Sequence, residues 1–120
     1  MENKILVIDE DQQTLASLQG LLVAKGFLVK LSAEADLLHQ HVADFEPDLL
    51  IMEIQHGFKD GRILCDEVKQ ASGSSDLPII LITTLPYEQI TVIECQADAI
   101  LGKPYLAENL LMTIRDLLEN

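Results

Sequence analysis

Five short apolar runs alternate along the chain with amphipathic stretches. That alternation marks repeated strand-helix units feeding a parallel sheet. Strands are expected at residues 4–8, 28–31, 49–52, 79–82 and 99–101. Each is short and carries little charge, as strands covered on both faces do. The fold class is therefore α/β: a doubly wound, five-stranded parallel sheet flanked by five helices.

The helices differ in how firmly their residues define them. Leu15, Leu18, Leu22 and Lys25 keep a three-or-four spacing, and Gly26 is placed to end that first helix in a left-handed turn. A second helix is expected over residues 32–43, with Ser32 as N-cap and Glu34 and Asp36 in its first turn. The third follows Asp60-Gly61 with Ile63, Leu64 and Val68 inward. The fifth covers residues 107–118 with Leu110, Leu111, Ile114, Leu117 and Leu118 inward. Over residues 87–96 the run Ile90, Thr91, Val92, Ile93 is wholly β-branched, which costs a few tenths of a kcal/mol per residue in a helix. Gln96 also stands where a glycine would end the helix without strain. A short, mobile or irregular fourth helix is expected. Pro47 and Pro78 sit just ahead of strands, where a missing amide donor does least harm.

At 120 residues the chain is one domain's worth, residues 1–120. No apolar run approaches the roughly 18 to 20 residues that span a bilayer, and the first residues lack the pattern of a signal peptide. A soluble, cytoplasmic protein is expected. The two cysteines, Cys65 and Cys95, lie in helix-like segments without metal-ligand spacing and read as buried free thiols. His39 and His41, two residues apart, fall on different helix faces and read as surface residues rather than a zinc site. A formal net charge of -12 repels phosphate backbones and anionic lipid. Direct binding to nucleic acid or membrane is not expected, and a basic protein surface suits the chain better.

Four of the apolar runs end on groups that handle phosphate or metal. They are Asp9, Glu10 and Asp11; Glu53; Thr83 and Thr84; and Lys103 with Pro104. In an open parallel sheet the carboxyl ends of the strands share one edge, where ligand crevices form. Carboxylates there could hold a divalent cation, a hydroxyl could steady a phosphoryl oxygen and an ammonium could neutralise charge. The bland alternative for Asp9 to Asp11 is an acidic turn capping the first helix, and Asp11 is read as a capping residue.

Together these segments resemble the receiver domain of bacterial response regulators, over essentially the whole chain. Lys-Ile-Leu-Val-Ile-Asp-Glu-Asp (residues 4–11) is similar to the family's first strand and acidic loop. The stretch from Pro47 to Gly61 keeps the spacing of strand, acceptor and Asp-Gly turn. Leu77 to Thr84 resembles the fourth strand, and Ala97 to Tyr105 the fifth with its Lys-Pro signature, where the peptide before proline is often cis. The resemblance implies a flavodoxin-like strand order of 2-1-3-4-5. It places Glu10 on the metal directly, Asp9 through water, and the Gln55 backbone carbonyl as a further ligand. Thr83 and Lys103 would contact phosphate, and Thr84 would narrow the entry. His56 and Gly57 replace an apolar residue and a proline, so a looser loop is expected. Ile100 stands where many receivers carry an aromatic ring that swings inward on activation.

Glu53 holds the position of the phosphoacceptor aspartate. A nucleophile misplaced by about 1 Å can lose roughly 100-fold in rate, and one added methylene moves the carboxylate by about that much. The longer acid also projects charge towards Thr83 and Lys103, imitating a phosphoryl group incompletely, or else simply pairs with Lys103. The reading favoured is an atypical receiver: an interaction module without substrate turnover, with output through the fourth helix, fifth strand and fifth helix. A conventional receiver, phosphorylated by a histidine kinase with magnesium, is the second reading. A metal-dependent phosphohydrolase is a remote third, resting on the spacing of Asp9 and Asp11. Magnesium at Asp9, Glu10, Glu53 and Gln55 is a weak expectation, because Glu53 and Lys103 together can fill the cation's place. The chain ends just after its fifth helix, so a C-terminal output domain in a longer protein is an open expectation.

Overall fold

The computed structural model describes residues 2–119. Five parallel strands form the main sheet: β1 (Lys4–Ile8), β2 (Leu28–Ser32), β3 (Leu49–Glu53), β6 (Ile79–Thr83) and β7 (Ala99–Gly102). Between β3 and β6 lies a two-stranded antiparallel hairpin of β4 (Gln55–His56) and β5 (Lys59–Asp60). The main sheet runs β2-β1-β3-β6-β7, which is the expected order once the hairpin is set aside. Four strands extend one residue beyond their expected ends. Ser32 is one of those additions: it pairs with Ile8, so the edge strand continues where a helix N-cap was expected.

Side chains alternate across a strand with period two, and the two cores follow that alternation. Ile5, Val7, Leu49, Ile51, Ile80 and Ile82 face α1 (Gln12–Ala24) and α5 (Ala107–Glu119), meeting Leu15, Leu18, Leu22, Leu110 and Ile114. Leu6, Ile8, Leu50, Met52, Ile79 and Leu81 face α2 (Leu38–Phe45) and α3 (Gly61–Gln70), meeting Leu38, Leu64, Cys65 and Val68. Full burial stabilises each such side chain by about 1.5–3 kcal/mol. The central strands β3 and β6 are buried throughout, whereas the edge strands β2 and β7 are partly open, so cover on both faces holds only at the centre.

Helix α1 ends as its residues require. Asp11 caps its start by accepting from the Gln13 amide, and Gly26 takes a φ of +90° just beyond its end. Before α2 the chain makes one 3-10 turn, Ala35–Leu37, with Glu34 rather than Ser32 at its start. On α3, Ile63 points to solvent and Leu64, Cys65 and Val68 fill the core. Cys65 is buried, which pushes its thiol up to about 12, while Cys95 is half-buried and outside any helix. His39 is exposed and lies 2.8 Å from Glu67.

The fourth helix, α4 (Tyr87–Ile90), has four residues. It stops where the β-branched run begins, and Gln96 caps no helix. Residues 91–98 are irregular but tied to α3, since Asp66 accepts from the Gln96 amide at 2.8 Å and Lys69 meets Asp98 at 2.8 Å.

Candidate functional site

Because all five strands run the same way, the groups at their carboxyl ends converge on one edge. Three of them touch. The Lys103 ammonium donates to Asp9 Oδ2 at 2.9 Å and to Glu53 Oε1 at 2.9 Å. Asp9 and Glu53 are both buried, and the Lys103 side chain is 15% exposed. Burial alone pulls the lysine pKa down, but hydrogen bonds to Asp9 and Glu53 outweigh it and hold the ammonium above the ordinary lysine value. The other carboxylate oxygens are held by backbone. Asp9 Oδ1 accepts from the Asp11 amide at 2.8 Å, while Glu53 Oε2 accepts from the Ile54 and Gln55 amides at 2.6 and 3.2 Å.

The remaining strand-end groups point elsewhere. The Thr83 hydroxyl accepts from the Leu85 amide at 3.1 Å. Thr84 donates to Gln55 Oε1 at 3.3 Å, linking the loops after β3 and β6 above the site. Glu10 is exposed, with its carboxylate beside Gly57. Ile100 is partly exposed on β7, and the Lys103–Pro104 peptide is cis. A cavity of about 720 Å³ opens at the far end of the sheet, near Glu46, Asp48 and Asp76, and is lined by none of the strand-end groups.

The loop after Glu53 folds into the β4-β5 hairpin. Gly57, at φ +59°, lets the chain reverse into the β4-β5 hairpin, with Phe58 fully exposed at its tip. His56 is buried there with both ring nitrogens free of protein partners among the described residues. The hairpin closes against β3 through Gly61, whose amide donates to the Ile54 carbonyl at 2.6 Å. A Cβ on Gly61 would lie 2.5 Å from the Glu53 carbonyl oxygen. Gly61→Ala is therefore expected to cost about 1–3 kcal/mol, read as a lower midpoint in urea unfolding with an unchanged slope. Unchanged stability would contradict this close fit.

The profile of the response regulator receiver domain family matches residues 5–115. The chain belongs to that family. The receiver is 31% identical over 120 residues to response regulator MprA of Mycobacterium ulcerans, covering 98% of this chain and 51% of that protein. It thus spans about half the length of the curated relatives it matches. A two-component response regulator of Clostridium difficile superposes with a TM-score of 0.88 at 26% identity, covering 99% of this chain and 98% of the other. A Chloroflexus aurantiacus crystal structure reaches a TM-score of 0.92 at 25% identity over the whole of both chains. Among the described residues no helix is long and apolar enough to cross a membrane.

This receiver fits poorly the magnesium ion that its family implies. Lys103 already spans Asp9 and Glu53, and Glu10 is turned to the hairpin. Among the described residues no three His, Cys, Asp or Glu side chains gather as a ligand set. Asp11, the second acid of the Asp9–Asp11 pair, is committed to Gln13 and Thr14 at the helix start, which removes support from the phosphohydrolase reading.

Asp60 was expected only as part of the turn before the third helix, and Arg62 was not singled out. Asp60 caps α3 and binds Arg62 through both oxygens, at 2.9 and 2.7 Å. Arg62 is buried and donates to the carbonyls of Gln89 and Ile90 at 2.7 and 2.9 Å, where α4 ends. The only signal was a charged residue on α3 beside the apolar positions Leu64, Cys65 and Val68.

Proposed function

We propose that this receiver domain works as a protein-interaction module without aspartyl phosphorylation, with Glu53 standing in the acceptor position as a fixed partner of Lys103. The observation that supports this is the ammonium bridged at 2.9 Å to both Asp9 and Glu53, in a site whose Thr83 hydroxyl is engaged by backbone. The bridge satisfies both buried carboxylates without phosphate or cation. Output then runs through the surface of α4, β7 and α5, where Tyr87, Ile100 and Met112 expose apolar side chains, with Val92 and Leu106 exposed in the adjoining loops. The domain spans residues 1–120, and it is read as one part of a longer protein with a C-terminal output domain, since its curated relatives are about twice its length. Histidine kinases are the other partner class that family membership suggests.

The second reading, a conventional receiver phosphorylated with magnesium, is favoured by Lys103 and Thr83 at their family positions. Intact mass after incubation with acetyl phosphate and magnesium separates the two. The proposed function predicts an unchanged mass, and addition of one phosphoryl group would overturn it.

A further inference from the structure

We infer that Arg62 is a positioning residue that carries the state of the Glu53 site to α4, through the hairpin and Asp60. Each link is a direct contact. Glu53 Oε2 holds the amides of Ile54 and Gln55, which open the hairpin. Gln55 pairs with Asp60 across the hairpin, and Gly61 packs on the peptide that follows Glu53. Asp60 grips the Arg62 guanidinium with both carboxylate oxygens, in the planar fork geometry that a lysine cannot reproduce. The remaining terminal nitrogen of the guanidinium binds the carbonyls of Gln89 and Ile90. These carbonyls would accept from later amides if α4 continued, so Arg62 competes with extension of the helix and favours its end as a cation at a helix C-terminus.

The ion pair is mutually reinforced. Hydrogen bonding to Arg62 holds the Asp60 carboxyl below its ordinary range, and hydrogen bonding to Asp60 holds the guanidinium above its own. The alternative route from the site, a hydroxyl coupled to a swinging aromatic ring, lacks its parts here. Thr83 is tied to Leu85, and Ile100 carries no ring. Arg62 offers a contiguous path between Glu53 and α4, beside the Thr84–Gln55 hydrogen bond that joins the loops after β3 and β6.

The inference rests on Glu53 as the site but not on its failure to accept phosphate, so a phosphorylated Glu53 would leave the relay standing. The test is amide exchange at residues 89–91 in the unaltered chain, Glu53→Ala, Arg62→Met and the double variant, with α1 amides as the control for global unfolding. Glu53→Gln is the milder substitute where Glu53→Ala folds poorly. Altering Glu53 is expected to speed exchange at 89–91 by at least about fivefold, relative to α1, when Arg62 is present. In the Arg62→Met background that change should vanish. An equal effect of Glu53 with and without Arg62, or no effect in either, would overturn the relay.

Discussion

Glu53→Asp is expected to accept a phosphoryl group from acetyl phosphate and magnesium at least about 100-fold faster than the unaltered chain. The substitution shortens the side chain by one carbon-carbon bond, about 1.5 Å. In the unaltered protein that length lets one carboxylate reach Lys103 with Oε1 while Oε2 stays on the amides of Ile54 and Gln55. A carboxylate so placed has both oxygens committed to protein partners, and on the proposed reading it stands in the way of an incoming phosphoryl group. Aspartate would withdraw from the ammonium and leave it free to meet phosphate, as electrostatic stabilisation of a transferred group requires. Intact mass over time measures the effect. Equal rates for the two chains would show that the extra methylene is not what governs transfer.

Lys103→Met is expected to destabilise the protein by about 3–5 kcal/mol, because it leaves two buried carboxylates without a counter-charge. Asp9 and Glu53 are 2% and 6% exposed, so water cannot take the ammonium's place without rearrangement. The lysine itself reaches solvent, which places the expected loss nearer the lower figure. Thermal unfolding should shift down by roughly 10 to 20 °C. Adding Glu53→Gln to Lys103→Met should recover part of the loss, since one of the two stranded charges is then removed. A Lys103→Met chain within about 0.5 kcal/mol of the original would mean that the bridge contributes little.

The main sheet was legible because buried strands and amphipathic helices impose different periods on apolar residues, and each of its five strands was found within one residue of its expected ends, whereas the β4-β5 hairpin was not expected. The misreadings fall where local rules met tertiary constraints. Ser32 is a good N-cap, yet pairing with Ile8 holds it in the sheet. Ile63 is as apolar as Leu64, but the Asp60 and α4 contacts of Arg62 set which face of α3 turns inward. Gly57 pointed to an unusual loop without showing its shape, and its positive φ is what lets the chain reverse into a hairpin. At the site, topology alone brought Asp9, Glu53 and Lys103 to one edge. Topology does not decide side-chain rotamers: Thr83 accepts from the Leu85 amide, Glu10 lies beside Gly57 and the Gln55 side chain meets Thr84, outside the Asp9–Lys103–Glu53 bridge. Arg62 escaped notice because its partners at the end of α4 lie 27 and 28 residues away and are backbone carbonyls, which no residue pattern reveals.

The most direct test is a crystal structure of the unaltered chain grown with beryllofluoride and magnesium. The account predicts no beryllofluoride bonded to Glu53, with Lys103 still bridging Asp9 and Glu53. Beryllofluoride bonded to the Glu53 carboxylate, with the Thr83 hydroxyl turned from the Leu85 amide towards it, would contradict the account.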